Sequence, residues 1–346
     1  IVGLVTLAAG FFGARPLLTL LGTKDILIEG AIRYLQIYSF GLPAAALYNF
    51  GNAVFSAAGD TRKPLYILIA AGILNVVLNL FFVIVCHLAE AGVALASAIS
   101  QWLSTGLVLF FLHRVHDSYG LNLRNVHFHA SKVRLILPLG LSAAAQNAIF
   151  ATANLFIQSG VNTFDAVIVE GTAAAANADS LVYDVMAAIY TACSSFMSQN
   201  YGAGKRKRVL HSYLVAMGYS LGIGLIFGIS LALFGRGFLR IFATDADVIE
   251  AGLVRLQLMG FCYGFSAFMD CTIAASRGLG KSIIPTIIVI LGSCVFRVAW
   301  VYTIFAYFNT IMSLYLVYIF SWTLTAIAEI IYFIHIYRGI AKRLGA

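Results

Sequence analysis

Five ionisable residues stand out within or beside the long apolar stretches of this chain: Asp179, Asp184, Asp270, Arg297 and Glu329. A charge in hydrocarbon is costly, so an acid or base retained there is a candidate for function. Counting a helical rise of ~1.5 Å per residue from the cytoplasmic ends of their runs, Asp270 lies roughly 10 Å deep, Glu329 about 14 Å and Arg297 about 20 Å. Three consecutive apolar runs thus bring two carboxylates and one guanidinium to similar depths, and Arg297 is the expected charged neighbour of Asp270. Such a cluster can be a permanent ion-pair lock. It can equally let one carboxylate exchange its partner for a proton, a sodium ion or a cationic ligand.

Neutral polar groups accompany these charges. Asn75 and Asn79 are four residues apart and share a helix face. Gln146 and Asn147 sit near the middle of another run. Such amides either bridge helices or line a cleft. Tyr183, Met186 and Tyr190 repeat at three and four residues, one face of a helix, with Asp184 roughly 100° round. Ring faces and a thioether suit apolar cations, although a stripe of this kind also serves plain helix packing.

Other chemistries are excluded. The five cysteines, Cys86, Cys193, Cys262, Cys271 and Cys294, form no CxxC pair and lie in or beside apolar runs, as packing thiols do. His113, His116, His127 and His129 flank one polar loop without a carboxylate cluster, so no metal site is expected. Gly202–Arg208 (GAGKRKR) fails the phosphate-loop pattern, because Gln199 holds its first glycine position and Arg206 its last. Those basic residues read instead as a topology anchor that meets anionic lipid. No Ser/His/Asp constellation suggests an enzyme, and no cofactor is implied.

The elements that must hold these groups are long and apolar. Of 346 residues 61% are hydrophobic and only 10% charged, with a mean hydropathy of +0.92. A water-soluble globule is thereby excluded. The net charge of +8 is spread through short loops rather than gathered into a nucleic-acid surface. Ten apolar runs are each long enough to span a bilayer: 1–21, 31–57, 64–86, 91–113, 133–160, 171–200, 209–234, 248–277, 284–308 and 311–338. None alternates like a barrel strand, so the expected class is an all-α polytopic membrane protein. Arg62, Lys63, Arg114, Arg134, Lys205–Arg208, Lys281 and Arg338 fall on one side, which positive-inside logic makes cytoplasmic, together with the C-terminus.

Part of the chain occurs twice. Phe12-Gly13 through Pro64 aligns with Phe234-Gly235 through Pro285 at an offset of 222, then 221, residues. Gly59 meets Gly280, Pro64 meets Pro285, and Asp270 meets Asn49. Six spans separate the copies, so they run in parallel across the membrane, an architecture known among transporters. The expected organisation is an N-terminal lobe of four spans over 1–113, a cytoplasmic linker over 114–132 and a C-terminal lobe of six spans over 133–346. Ile1 opens inside an apolar run without an initiator Met, which suggests two preceding helices and a full count of six plus six.

Several stretches carry a family resemblance: Gly41-Leu42-Pro43, Tyr48-Asn49-Phe50, Gly59–Tyr66 (GDTRKPLY), the Asn75 and Asn79 pair, Ala91–Ser100 (AGVALASAIS), Asn154–Phe164 (NLFIQSGVNTF), Ser198–Arg208 (SQNYGAGKRKR) and Ser276–Pro285 (SRGLGKSIIP). In this order and spacing the chain resembles the multidrug and toxic compound extrusion (MATE) transporters, in particular those of Gram-positive gut bacteria. The resemblance implies two six-helix lobes around a central cleft. It implies export of organic cations or amphipathic drugs, by a monomer in the bacterial cytoplasmic membrane, in exchange for protons or sodium ions. Asp270, Asp184, Arg297 and Glu329 are then the ion-coupling or substrate candidates. Asn49, Asn75, Asn79, Gln146, Asn147, Tyr183, Met186 and Tyr190 are the cleft-lining ones. The sequence departs from relatives at Ser56, near which they usually carry an arginine, and it lacks the stretch that bears their first-helix aspartate. A flippase for lipid-linked saccharides and an inactive fragment of an exporter are the alternatives.

Overall fold

The structure, a computed structural model, describes residues 1–20, 25–117, 119–122, 126–127 and 129–343. Two compact units divide the chain, Ile1–Phe128 and His129–Ala346. Twelve helices and no strand occur among the described residues. The first unit holds α1 (Val2–Phe12), α2 (Ala14–Leu20), α3 (Asp25–Ser39), α4 (Leu42–Ala57), α5 (Arg62–Val85) and α6 (Ala89–His113). The second holds α7 (Ala130–Val161), α8 (Ala166–Gly202), α9 (Arg206–Leu239), α10 (Ala246–Gly278), α11 (Ile283–Phe308) and α12 (Ile311–Arg343).

Eight helices among the described residues, α5 to α12, are long and apolar enough to cross a membrane. On α5 alone, Leu68, Ile69, Ile73, Val76 and Val77 are exposed, a face that suits lipid rather than water. The protein is an all-α polytopic membrane protein.

The expected runs 1–21 and 31–57 differ from ten unbroken spans. Each is divided in two, at Gly13 and at Phe40-Gly41. Proline is the cause in both. Pro16 and Pro43 have no N–H for the carbonyls of Phe12 and Ser39, four residues back. Ser39 instead turns its own hydroxyl to the Leu35 carbonyl, 2.6 Å away. At the 221-residue spacing that relates the ion pairs Arg15–Glu29 and Arg236–Glu250, the corresponding residues of the second copy are Gly237 and Gly264, and there α9 and α10 run through unbroken. Pro64 and Pro285 lie in first turns, where a missing N–H removes no helical bond.

Within the units the two copies share several devices. Gly59 and Gly280 both take left-handed φ, +86° and +74°, just past a helix end. Arg15 pairs with Glu29 at 2.5 Å, and Arg236 with Glu250 at 2.9 Å. These pairs have the same internal spacing and lie 221 residues apart. Both α5 and α11 carry a π-helical turn near their C-terminal ends, Phe81–Val85 and Val301–Phe305.

In the first unit α6 is the hub, packed by α3, α4 and α5; in the second it is α10, packed by α8, α9 and α12. Close approach there depends on glycine. A Cβ on Gly228 of α9 would meet the Gly260 carbonyl oxygen at 2.0 Å, so these backbones touch.

Candidate functional site

A cavity of about 420 Å³ opens within the second unit. Its walls come from Phe150 and Asn154 on α7, Asp179, Tyr183 and Asp184 on α8, Arg255, Met259 and Tyr263 on α10, Arg297 on α11, and Tyr318 and Trp322 on α12. Five helices therefore supply one site, and five aromatic side chains stand in its wall.

Two arginines define its electrostatics, and they are held differently. Arg255, only 6% exposed, donates from Nη2 to Asp179 Oδ2 at 2.5 Å. The Tyr263 hydroxyl donates to the other carboxylate oxygen. The Arg255 guanidinium also sits over the rings of Tyr315 and Tyr318, 5.3 and 5.5 Å from their centroids. This charge is compensated. Arg297 is fully buried. Its Nη1 donates to Asn154 Oδ1 at 2.9 Å and its Nε to Ser321 Oγ at 3.3 Å. Phe150, Tyr318 and Trp322 surround it at 4.4, 4.8 and 5.9 Å. Its Nη2 has no hydrogen-bond partner. Among the described residues no carboxylate lies within ion-pair distance of Arg297.

Asp270 and Arg297 lie within electrostatic reach of each other, but they form no ion pair. Asp270 accepts a hydrogen bond from the Tyr183 hydroxyl at 2.7 Å. Similar depth along neighbouring helices does not fix the face: Asp270 turns toward α8, and Arg297 toward α7 and α12. Glu329 stands outside the cavity wall, fully buried, with neither carboxylate oxygen hydrogen-bonded. The Arg277 guanidinium lies within electrostatic reach of both Glu329 and Asp270, but it donates to Gln146 Oε1 at 2.7 Å.

The aromatic and Met stripe divides. Tyr183 and the exposed Asp184 line the cavity, whereas Met186 and Tyr190 are packed in the second unit's core. One helix face continues past the cavity's end into the contact between α8 and its neighbours, where there is nothing left to line. Gln146 joins α7 to α10 and α11, accepting from Arg277 and, at 3.4 Å, from Thr286. Asn147 is exposed. In the first unit Asn49 is also exposed. Asn79 donates to Asn75 at 3.0 Å along α5, a bond within one helix rather than a bridge between two.

Arg255 and Asn154 escaped the sequence reading. Arg255 had a usable signal, an arginine well inside an apolar run, the same signal that singles out Arg297. Asn154 had none.

The MatE family profile matches residues 1–81 and 138–303, most of the chain and most of the elements just described. The chain belongs to the MatE family. Among MatE relatives it is 31% identical to the probable multidrug resistance protein YpnP of Bacillus subtilis over 258 residues, covering 75% of this chain and 58% of that protein. It is 27% identical to an FAD transporter of Shewanella oneidensis over 265 residues, 74% of this chain and 58% of that one. The MatE chain thus spans less than two thirds of the length of these relatives. Its fold matches a MATE crystal structure in the bent conformation with a TM-score of 0.89 at 19% identity, over 99% of this chain and 77% of that one. It also matches a transporter from Pyrococcus furiosus, described as having a binding pocket of reverse polarity, at 0.91 and 20% identity, over 98% and 76%.

Proposed function

We propose that this MatE protein is a secondary active exporter of amphipathic organic compounds, organic cations among them, that works by exchange for protons or sodium ions. The observation that carries this reading is the link between cavity and buried acid. Tyr183 forms part of the cavity wall and donates its hydroxyl proton to Asp270 behind it. A proton or sodium ion taken up at Asp270 competes with the Tyr183 hydroxyl for that carboxylate and weakens the bond, which frees the Tyr183 side chain of the cavity wall to move. Ion binding and ligand binding then compete through one hydrogen bond. The multidrug resistance proteins among the relatives support the same reading.

In this reading the protein acts as a monomer in the bacterial cytoplasmic membrane, with Lys205–Arg208 and the C-terminus on the cytoplasmic side, and it needs no cofactor. Dye efflux from cells expressing the protein, under separately imposed proton and sodium gradients, tests it. Efflux driven by one gradient and lost in Asp270→Asn, with ligand binding to the purified variant retained, is the expected result. Efflux indifferent to both gradients, or an Asp270→Asn variant that exports normally, would overturn it.

A further inference from the structure

Arginine stays protonated in proteins, so a buried guanidinium without a counter-ion carries a full charge that something must offset. Arg297 is in that position. Asn154 and Ser321 occupy two of its nitrogens, three rings pack around it, and Nη2 has no acceptor. The acids nearby are committed elsewhere or stand clear. Asp179 is closed on Arg255 and Tyr263, Asp270 acts on Arg297 only at a distance and accepts from the Tyr183 hydroxyl, and Asp184 is exposed and makes no ion pair. Among the described residues Arg297 is therefore the one buried charge in the cavity wall without an ion-pair partner, and the wall's other unpaired charge, Asp184, is solvated.

From this juxtaposition of a fully buried, counter-ion-free Arg297 with an aromatic-walled cavity of about 420 Å³, we propose that the cavity binds flat aromatic acids, with the ligand's carboxylate or phosphate oxygen on Arg297 Nη2. The proposal rests on the reading above that this cavity is the substrate site, and it names a substrate class for it. Phe150, Tyr318 and Trp322 supply faces for the ligand ring, and Asn154 and Ser321 hold the guanidinium in place. Nη2 is screened from solvent, so a ring packed against Arg297 must rotate for the acid group to reach it. A small neutral ligand can occupy the cavity without that rotation. The acid group rather than the ring thus provides discrimination. A charge-assisted hydrogen bond at this position corresponds to roughly ten- to a hundredfold in affinity.

The test is equilibrium binding to the purified chain in lipid nanodiscs, using four probes that share one ring system: 2-naphthoate, 2-naphthyl phosphate, 2-naphthamide and 2-naphthylmethylamine. The expected order places one or both acids at least about tenfold tighter than the amide, with the amine weakest, and the two acids distinguish carboxylate from phosphate. In Arg297→Gln the acids should fall to the affinity of the amide, while the amide is unchanged. An amine that binds tighter than both acids, acids no tighter than the amide, or an acid preference that survives Arg297→Gln would each overturn the proposal. Should Arg297→Gln not fold, the probe order on the unaltered protein decides alone. Binding does not require transport, so a protein that prefers acids yet exports nothing would remove the exporter reading and leave this one standing.

Discussion

Arg15–Glu29 in the first copy of the repeat and Arg236–Glu250 in the second close equivalent helix-to-helix turns with equivalent charges, yet the helices leading into and out of those turns behave differently. Pro16 and Pro43 break the first copy into short helices, and Gly237 and Gly264 let the second run through. The unbroken α10 carries Arg255 and Asp270 into the packed interior of its unit. The matching positions of the first copy, 221 residues earlier, are Tyr34 and Asn49. Tyr34 stacks on Tyr38 at 5.8 Å, and Asn49 is exposed. Loop devices were kept in both copies, while among the described residues buried charge is concentrated in one. A long helix packed on three sides can bury a charge and also supply its partners; a helix broken by proline offers less continuous surface for either.

The strongest break of this comparison removes a partner of the buried charge. Asp179→Leu leaves Arg255 buried and unpaired, and thermal unfolding in detergent should show a loss of about 3–5 kcal/mol. Asn49→Ala in the first unit, where no buried charge depends on the side chain, should stay within about 0.5 kcal/mol. Equal losses at the two sites would mean that the asymmetry has no energetic content.

Exchanging the helix breakers comes next. Gly264→Pro removes the α10 hydrogen bond to the Gly260 carbonyl and should cost about 3 kcal/mol or more, read as a fall in unfolding temperature. The reciprocal Pro43→Gly should be tolerated and should increase hydrogen-exchange protection around residues 40–43. If Gly264→Pro is harmless, continuity of α10 is not what holds the second unit's interior.

Smallest is the shared turn. Arg15→Ala and Arg236→Ala each remove an exposed ion pair, so each should cost less than about 1 kcal/mol, and the losses should shrink in high salt. A large effect at only one of the two would show that the matching pairs do different work.

Much of this protein was legible as local physics. Apolar length predicts helices that span a bilayer. Gly59, Gly280, Pro64 and Pro285 mark turns and first turns whose backbone needs do not depend on distant residues. The same physics, applied to Pro16 and Pro43, predicts breaks that apolar length alone passes over. An acid or arginine in a long apolar run is a marker of a site, and Asp179, Asp184, Asp270 and Arg297 meet at or beside one cavity.

Tertiary structure decided the partners. Helix rise measures how deep Asp270 and Arg297 lie, but not which neighbour each faces. That choice follows from how closely the helices approach, as at Gly228 and Gly260, and from which face each turns inward as a result. So Asp270 meets Tyr183 rather than Arg297, Met186 and Tyr190 become core, and Arg255 finds Asp179 across 76 residues of chain. Depth along an apolar run is a property of a single helix, which a sequence states directly; burial, ion pairs and cavities belong to the spaces between helices, which exist only once the helices have packed.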